Sequence, residues 1–291
     1  MVASPALLTV ATVGYLVERT ACAGREGRVH SVFDNACNLA VDDTLLTIVA
    51  PHGDDAPTVL RLAPGKPVDF PRQFSVGERV GFDAASAHTP LMRLEWGRAR
   101  VWQPAPPAAL RPLAEIEARC ALARTRLREA RRQHPSVLDR EGAPIVAAWT
   151  NACARSDAAI AASCADRLIG WGEGLTPAGD DFLLGALAAL DGMAIDDAPR
   201  GRFRRALAAS IVARLARTTP VSAHLLRLAV ASHYGATLLR LRDALLSDPQ
   251  SDTLDASLSR ALAVGASSGA DTVTGLVCGI SASLSANRTF S

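Results

Sequence analysis

The chain is almost without lysine. Lys66 is the one lysine among 31 basic residues, and all the others are arginine. That scarcity removes two enzyme classes, because a Walker-type phosphate loop and a Schiff-base enzyme both need a well-placed lysine. Lys66 stands in the turn-like stretch APGKPVDF, an unpromising place for either. The arginine excess reads as coding bias, so a single arginine is a weak clue. No Cys-x-x-Cys pair occurs among Cys22, Cys37, Cys120, Cys153, Cys164 and Cys278, and they do not bunch with the six histidines. Zinc spacing is therefore missing. Cysteines scattered this way read as small buried hydrophobes in a reducing compartment, so a cytoplasmic location is expected. No run reaches the roughly 18 apolar residues of a membrane span. The apolar N-terminus, MVASPALLTVATVGYLVERTACA, lacks a basic start, and Glu18 and Arg19 interrupt the approach to Ala-Cys-Ala, which argues against a signal peptide. A net charge of +2 points neither toward nor away from nucleic acid. Neither a nucleic-acid nor a membrane partner is expected.

What the chain has is core material: 291 residues, 49% of them hydrophobic, enough for one large domain or two ordinary ones. Its character changes near residue 104. Before that point β-type runs alternate with turn signals, in TLLTIVAP, TVLRLAPG, VGERVGFDA and LMRLEWGRARVW. The proline-rich joint QPAPPAAL follows, and then helical period takes over. Leu113, Ile116, Cys120 and Leu127 share one helix face. Ile145, Trp149, Cys153, Ile160, Cys164 and Leu168 share another, and Phe203, Leu207, Ile211 and Leu215 repeat every four residues, as do Leu254, Leu258 and Leu262. The expectation is an α+β protein. Residues 1–104 form a β-rich region, a small antiparallel sheet or barrel, and residues 105–291 form a mainly helical domain.

The segment GWGEGLTPAGDDFLLGALAAL, Gly170 to Leu190, combines four glycines, two adjacent aspartates and an unbroken apolar run. Thr176-Pro177 reads as a helix start, with threonine as cap and proline in the first turn. Asp180 and Asp181 would then sit at the positive end of the helix dipole, a gain of about 0.3–1 kcal/mol. Helix-end chemistry alone does not explain Gly170, Gly172, Gly174 and Gly179, since glycine is useful where backbone bends sharply or approaches something closely. Neighbouring helical residues point about 100° apart, so one aspartate is expected to hold the loop while the other faces a ligand or a cation. Asp-Asp recurs at Asp42-Asp43, Asp54-Asp55 and Asp196-Asp197, in surroundings that read as solvated loops.

Two more stretches share this style. ARTTPVSAHLLRLA carries a second Thr-Pro start at Thr219-Pro220, with Ser222 just inside. AVGASSGADTVTGLVCGI places Ser268 three residues before Asp271, a capping-box spacing, with Gly269 between them and Gly275 and Gly279 spaced for close helix contact. Each alone reads as an ordinary cap. Together, three such starts on buried helices are expected to converge on one pocket of backbone N–H donors, hydroxyls and three carboxylates. GASSG fits the Gly-x-Ser-x-Gly elbow of serine hydrolases but fails in context, because helix precedes it and His233 is the last histidine.

The blocks GEGLTPAGDDFLLG, TTPVSAHLLRLA and GASSGADTVTGLV, with HSVFDNACNL near the front, resemble the oxamate carbamoyltransferase subunit family, long known only as a family of unknown function. The resemblance spans about His30 to Ile280. Where that family commonly reads Gly-Leu-Gly-Pro-Gly-Leu-Thr-Pro-Ser-Gly-Asp-Asp, this chain has Trp171, Glu173 and Ala178 in place of the leucine, the proline and the serine. The resemblance implies carbamoyl transfer between phosphate and oxamate, alongside other protein subunits, in ureide breakdown. The Ser-x-Arg-Thr phosphate motif of ornithine- and aspartate-type carbamoyltransferases is missing, so phosphate would be held by helix N-termini and arginines such as Arg217. Candidate catalytic residues are Asp180, Asp181 and Asp271. Candidate ligand-binding residues, for a small carbamoyl or carboxylate ligand, are Gly172, Gly174, Thr176, Gly179, Ser222, Ser268 and Gly269, with His30 and Asn38 at the pocket edge. The cofactor is open. A magnesium ion on Asp180 and Asp181 is one reading, and a magnesium-dependent hydrolase using these two and Asp271 is an alternative function, as is a non-catalytic partner subunit.

Overall fold

The computed structural model describes residues 5–21, 23–193, 198–247 and 253–289, so Cys22 and the Asp196-Asp197 pair lie outside the described residues. The chain divides into two units, Met1–Ala105 and Pro106–Ser291.

The first unit is a β-barrel. Its strands are β1 (Ala6–Gly14), β2 (Glu26–Phe33), β3 (Ala36–Val41), β4 (Thr44–Val49), β5 (Val59–Leu62), β6 (Arg79–Phe82), β7 (Ser86–His88), β8 (Met92–Glu95) and β9 (Arg100–Trp102), with two single-turn helices, α1 (Val17–Thr20) and α2 (Phe70–Gln73). They run in the order β5-β4-β3-β2-β6-β7-β8-β1-β9, and an added β5–β1 pairing closes the ring. Closure leaves fewer open strand edges, which otherwise invite association. The sheet is mixed rather than antiparallel: β1 runs parallel to both β8 and β9, and β4 parallel to β5. The stretch weighed as a signal segment supplies β1, bonded to β5 on one side and to β8 and β9 on the other. Its core includes Val13, Leu39, Ile48, Leu60, Met92 and Leu94.

The second unit is helical among its described residues: α3 (Leu113–Gln133), α4 (Val137–Arg140), α5 (Ala143–Ala154), α6 (Ala158–Leu168), α7 (Ala178–Gly192), α8 (Ala198–Val212), α9 (Pro220–Val230), α10 (Ala236–Leu246), α11 (Leu254–Leu262) and α12 (Ser268–Thr289). The apolar stripes face the core with two exceptions, Leu113 and Ile160, each 42% exposed. Both lie in the first turn of their helices, past the edge of the packed face. The apolar run after the aspartates is buried throughout, apart from Leu184, because α7 lies under α12 at very short range. A Cβ on Gly185 would stand 1.9 Å from the Thr272 carbonyl oxygen, and one on Gly275 would stand 1.9 Å from that of Phe182. On another side Trp149 of α5 meets Phe182 edge-on, with ring centroids 5.4 Å apart. No described helix is long and apolar enough to cross a membrane. The described cysteines are free; Cys37, Cys120, Cys153 and Cys164 are buried and Cys278 is half-buried. Burial pushes the thiols of Cys37 and Cys153 up to about 12, far from nucleophilic range.

Candidate functional site at converging helix starts

The glycine loop is built by backbone demand. Gly170 has φ +72°, a left-handed conformation that side-chain-bearing residues rarely adopt, and a Cβ there would strike the Arg217 carbonyl oxygen at 2.3 Å. Its N–H donates to Asp180 Oδ1 at 2.9 Å. Gly179 lies so close to α6 that a Cβ would stand 2.0 Å from the Leu168 carbonyl oxygen. The loop therefore folds back on the end of α6, and Asp180 ties it there.

Asp180 is 1% exposed and fully partnered. Oδ1 takes the Gly170 N–H, while Oδ2 accepts the hydroxyl of Thr218 and, at 2.7 Å, that of Ser222. Thr219 adds a second tie by donating to the Leu175 carbonyl at 2.5 Å and capping α9 through the Ser222 N–H. Burial raises the Asp180 carboxyl above its usual range against the pull of these donors. This aspartate is the one that holds the loop.

Asp181 is different. It is 4% exposed, and its Oδ2 is buried without a hydrogen-bond partner. The hydroxyls of Thr176 and Ser268, 2.8 Å from each other, stand beside it. Burial is the largest influence on its carboxyl, with further upward pressure from Asp271 and Asp180, and the result is a pKa of about 8. Asp181 therefore holds its proton to much higher pH than an ordinary carboxyl group.

Asp271, 0% exposed in the first turn of α12, has one used oxygen and one idle one. Its Oδ1 accepts from Arg131 Nη2 at 2.5 Å and from Ser136 Oγ at 2.7 Å, while Oδ2 has no partner. Burial raises its carboxyl, and Arg131 opposes this. Arg131, on α3, and Ser136, the N-cap of α4, escaped the sequence reading. Arg131 sat inside an arginine-rich helix with nothing to mark it out. Ser136-x-x-Asp139 had the spacing of a capping box, which it forms, and that was the one available signal.

The starts of α7, α9 and α12 thus come together, joined by Asp180–Thr218, Asp180–Ser222 and Thr176–Ser268 contacts. Several details differ from the sequence expectation. Helix α7 begins at Ala178 with Pro177 as an uncapped N-cap, and α12 begins at Ser268, so neither Thr176 nor Ser268 is a cap. Their hydroxyls turn toward each other and Asp181 instead. Backbone donors at the start of α7 are spent internally: Gly179 N–H goes to Trp171 O, and those of Asp180 and Asp181 go to Pro177 O. Gly269 N–H likewise goes to Val264 O. Gly172 and Gly174 take positive φ, and Gly174 borders open space. Arg217 is ion-paired with Asp166 at 2.5 Å, a partner shared with Arg214. Among the described residues no group of three or more His, Cys, Asp or Glu side chains is arranged to hold a metal ion, and the donors on Asp180 occupy both of its oxygens.

In the barrel unit, Asn38 is buried and bridges strands, donating to Ser31 Oγ at 2.9 Å and accepting from Thr47 Oγ1 at 2.8 Å. His30 Nδ1 lies 3.1 Å from the same Ser31 hydroxyl, brought there by a register shift between Val29 and Ser31. Asp55, expected in a solvated loop, is buried and paired with Thr12 and Arg61.

The family described as oxamate carbamoyltransferase subunit AllH matches residues 168–280, a span that contains the glycine loop and the starts of α7, α9 and α12. The AllH family N-terminal domain matches residues 8–101, the barrel. No curated protein and no solved structure matches the chain. With both of its units matched over most of their length, the chain belongs to the AllH family of oxamate carbamoyltransferase subunits.

Proposed function

We propose that this subunit takes a direct part in carbamoyl transfer, in the catabolic direction oxalurate plus phosphate to oxamate plus carbamoyl phosphate, and that the chemistry occurs where α7, α9 and α12 begin. The observation that carries the reading is the contrast within the Asp180-Asp181 pair. One carboxylate is fully used in holding the loop; the other is buried and idle at one oxygen, and burial raises its carboxyl.

The reaction needs such a group. A phosphate oxygen attacks the terminal carbamoyl carbon of oxalurate, giving a tetrahedral oxyanion. The C–N bond to the oxamate nitrogen then breaks, and that nitrogen needs a proton. Asp181, with a pKa of about 8, is suited to donate it as a general acid. The positive ends of three helix dipoles favour the negative charge that builds on the oxyanion and phosphate. The five described cysteines, all free, suit a reducing cytoplasm. Other protein subunits complete the enzyme in this reading.

Release of carbamoyl phosphate from oxalurate is measured with the chain alone and with its partner subunits, with and without phosphate and Mg²⁺. Activity is expected to depend on phosphate and to fall by about 10²-fold or more in Asp181→Asn, the order seen when a positioned acid is lost. An unchanged rate in that variant would rule out Asp181 as the proton donor and favour the chain as a non-catalytic partner.

A further inference from the structure

We propose that Arg131 and Asp271 form the clamp that recognises the carbamoyl group, a carbonyl and an amine on one carbon, by a donor and an acceptor that their own pairing leaves unused. This rests on the reaction proposed above and names the residues that read its transferred group. An arginine and a carboxylate ordinarily meet in two parallel hydrogen bonds. Here they make one, Nη2 to Oδ1 at 2.5 Å, and Ser136 takes the second site on Oδ1. Nη1 and Oδ2 are both buried and both without a partner. The Arg131 side chain is 9% exposed and that of Asp271 0%, so bulk water does not serve them. Arg131 Nε, 3.2 Å from Asp139 Oδ2, forms an ion pair without hydrogen-bond alignment, which anchors the guanidinium from another side.

Buried donors and acceptors left idle are costly, and in native proteins each asks for an explanation. A carbamoyl group supplies the missing partners, because its carbonyl oxygen accepts and its adjacent amine donates. Arg131 Nη1 fits the first and Asp271 Oδ2 the second. Ser268, whose hydroxyl meets that of Thr176 beside Asp181, opens the same helix turn that carries Asp271, which sets the proton-donating carboxyl near the clamp. With the backbone donors of α7 spent internally, Arg131 is also the donor best suited to the oxyanion that the carbonyl becomes.

The two halves of the clamp separate experimentally. Carbamoyl phosphate and acetyl phosphate share a carbonyl and a phosphate and differ in an amine against a methyl group. Their dissociation constants are measured by competition calorimetry on the full chain and on its complex with partner subunits. The wild-type protein is expected to prefer carbamoyl phosphate by about tenfold or more, since a site built to pair a polar group rejects an analogue lacking it. In Asp271→Asn the amide oxygen turns to Arg131 and the amide nitrogen replaces Oδ2, so donor faces donor and the preference should vanish. Arg131→Lys keeps the charge but loses Nη1, so both ligands should weaken about tenfold with their ratio kept. Equal binding of the two ligands by wild type, binding of neither, or an unchanged ratio in folded Asp271→Asn overturns the clamp. If a lone buried water serves these two groups, the first of these results follows. Because the readout is binding, a preference that persists while oxalurate turnover is absent would sink the reaction and spare the clamp.

Discussion

Two buried aspartates, one in each unit, stand in opposite hydrogen-bonding environments. In the barrel, Asp55 accepts from the Thr12 hydroxyl and from Arg61 Nε at 2.9 Å and Nη2 at 3.3 Å. Burial pushes its carboxyl up, but the arginine and threonine outweigh that and hold it below the usual range. In the helical unit, Asp181 is more deeply buried, has one oxygen with no partner, and its carboxyl is pushed up to about 8. The same residue type, taken out of water, is a structural tie where its lone pairs are filled and a titratable group where they are not. Burial drives the shift at Asp181, and the unfilled lone pair is what separates it from Asp180, which is as deeply buried and fully partnered.

The largest effect expected from breaking this contrast is at Asp181. Between about pH 4 and 8 the folded protein keeps a proton there that the unfolded chain has lost, so stability from this group is full below pH 4 and falls as pH rises to 8. Asp181→Asn removes that penalty. Its melting temperature relative to wild type should rise with pH across that window, by the equivalent of roughly 3–5 kcal/mol, while carbamoyl transfer collapses. A variant that loses stability evenly at all pH values would show Asp181 to be a tie like Asp55. Next in size is Gly185→Ala, which drives a Cβ into the Thr272 carbonyl and forces α7 and α12 apart. About 3 kcal/mol of stability should be lost in denaturant titration.

Asp55→Asn probes the other half of the comparison. It should cost about 1–3 kcal/mol, because Arg61 then loses its charged partner. The sign of its pH dependence is opposite: the carboxylate's contribution is present above the ordinary carboxyl pKa and is lost as pH falls through its lowered folded value. Wild-type barrel stability should therefore drop in acid, and the variant should be flatter there. The smallest effect is expected at Thr176→Val. The Ser268 hydroxyl remains beside Asp181, so about 1 kcal/mol or less should be lost, with a modest change in the Asp181 titration followed by carboxyl infrared bands.

Much of this was legible in order along the chain. The change of period near residue 104, the buried run after Asp181 and the Thr219-Pro220 start with its threonine cap all come from local pattern. The first three strands were not read: β1 is evenly apolar and shows no alternation, and β2–β3 carries His30, Ser31 and Asn38, polar residues that blur it. Nor was it legible which threonines and serines cap helices. Thr176 and Ser268 have cap-like spacing, but a cap depends on where the chain turns, and the turn here is set by packing of the loop on α6 and α9.

Composition and spacing alone determined the β-then-α order, the long buried run after Asp181 and the capped start at Thr219-Pro220, because these depend on residues near one another in sequence. The division of labour between Asp180 and Asp181, the burial of Asp55 and the half-used pairing of Arg131 with Asp271 were decided by tertiary structure. Arg131 and Asp271 are 140 residues apart. No local pattern encodes which oxygen of a buried carboxylate is left without a donor; only the packing of α3, α4 and α12 around it does.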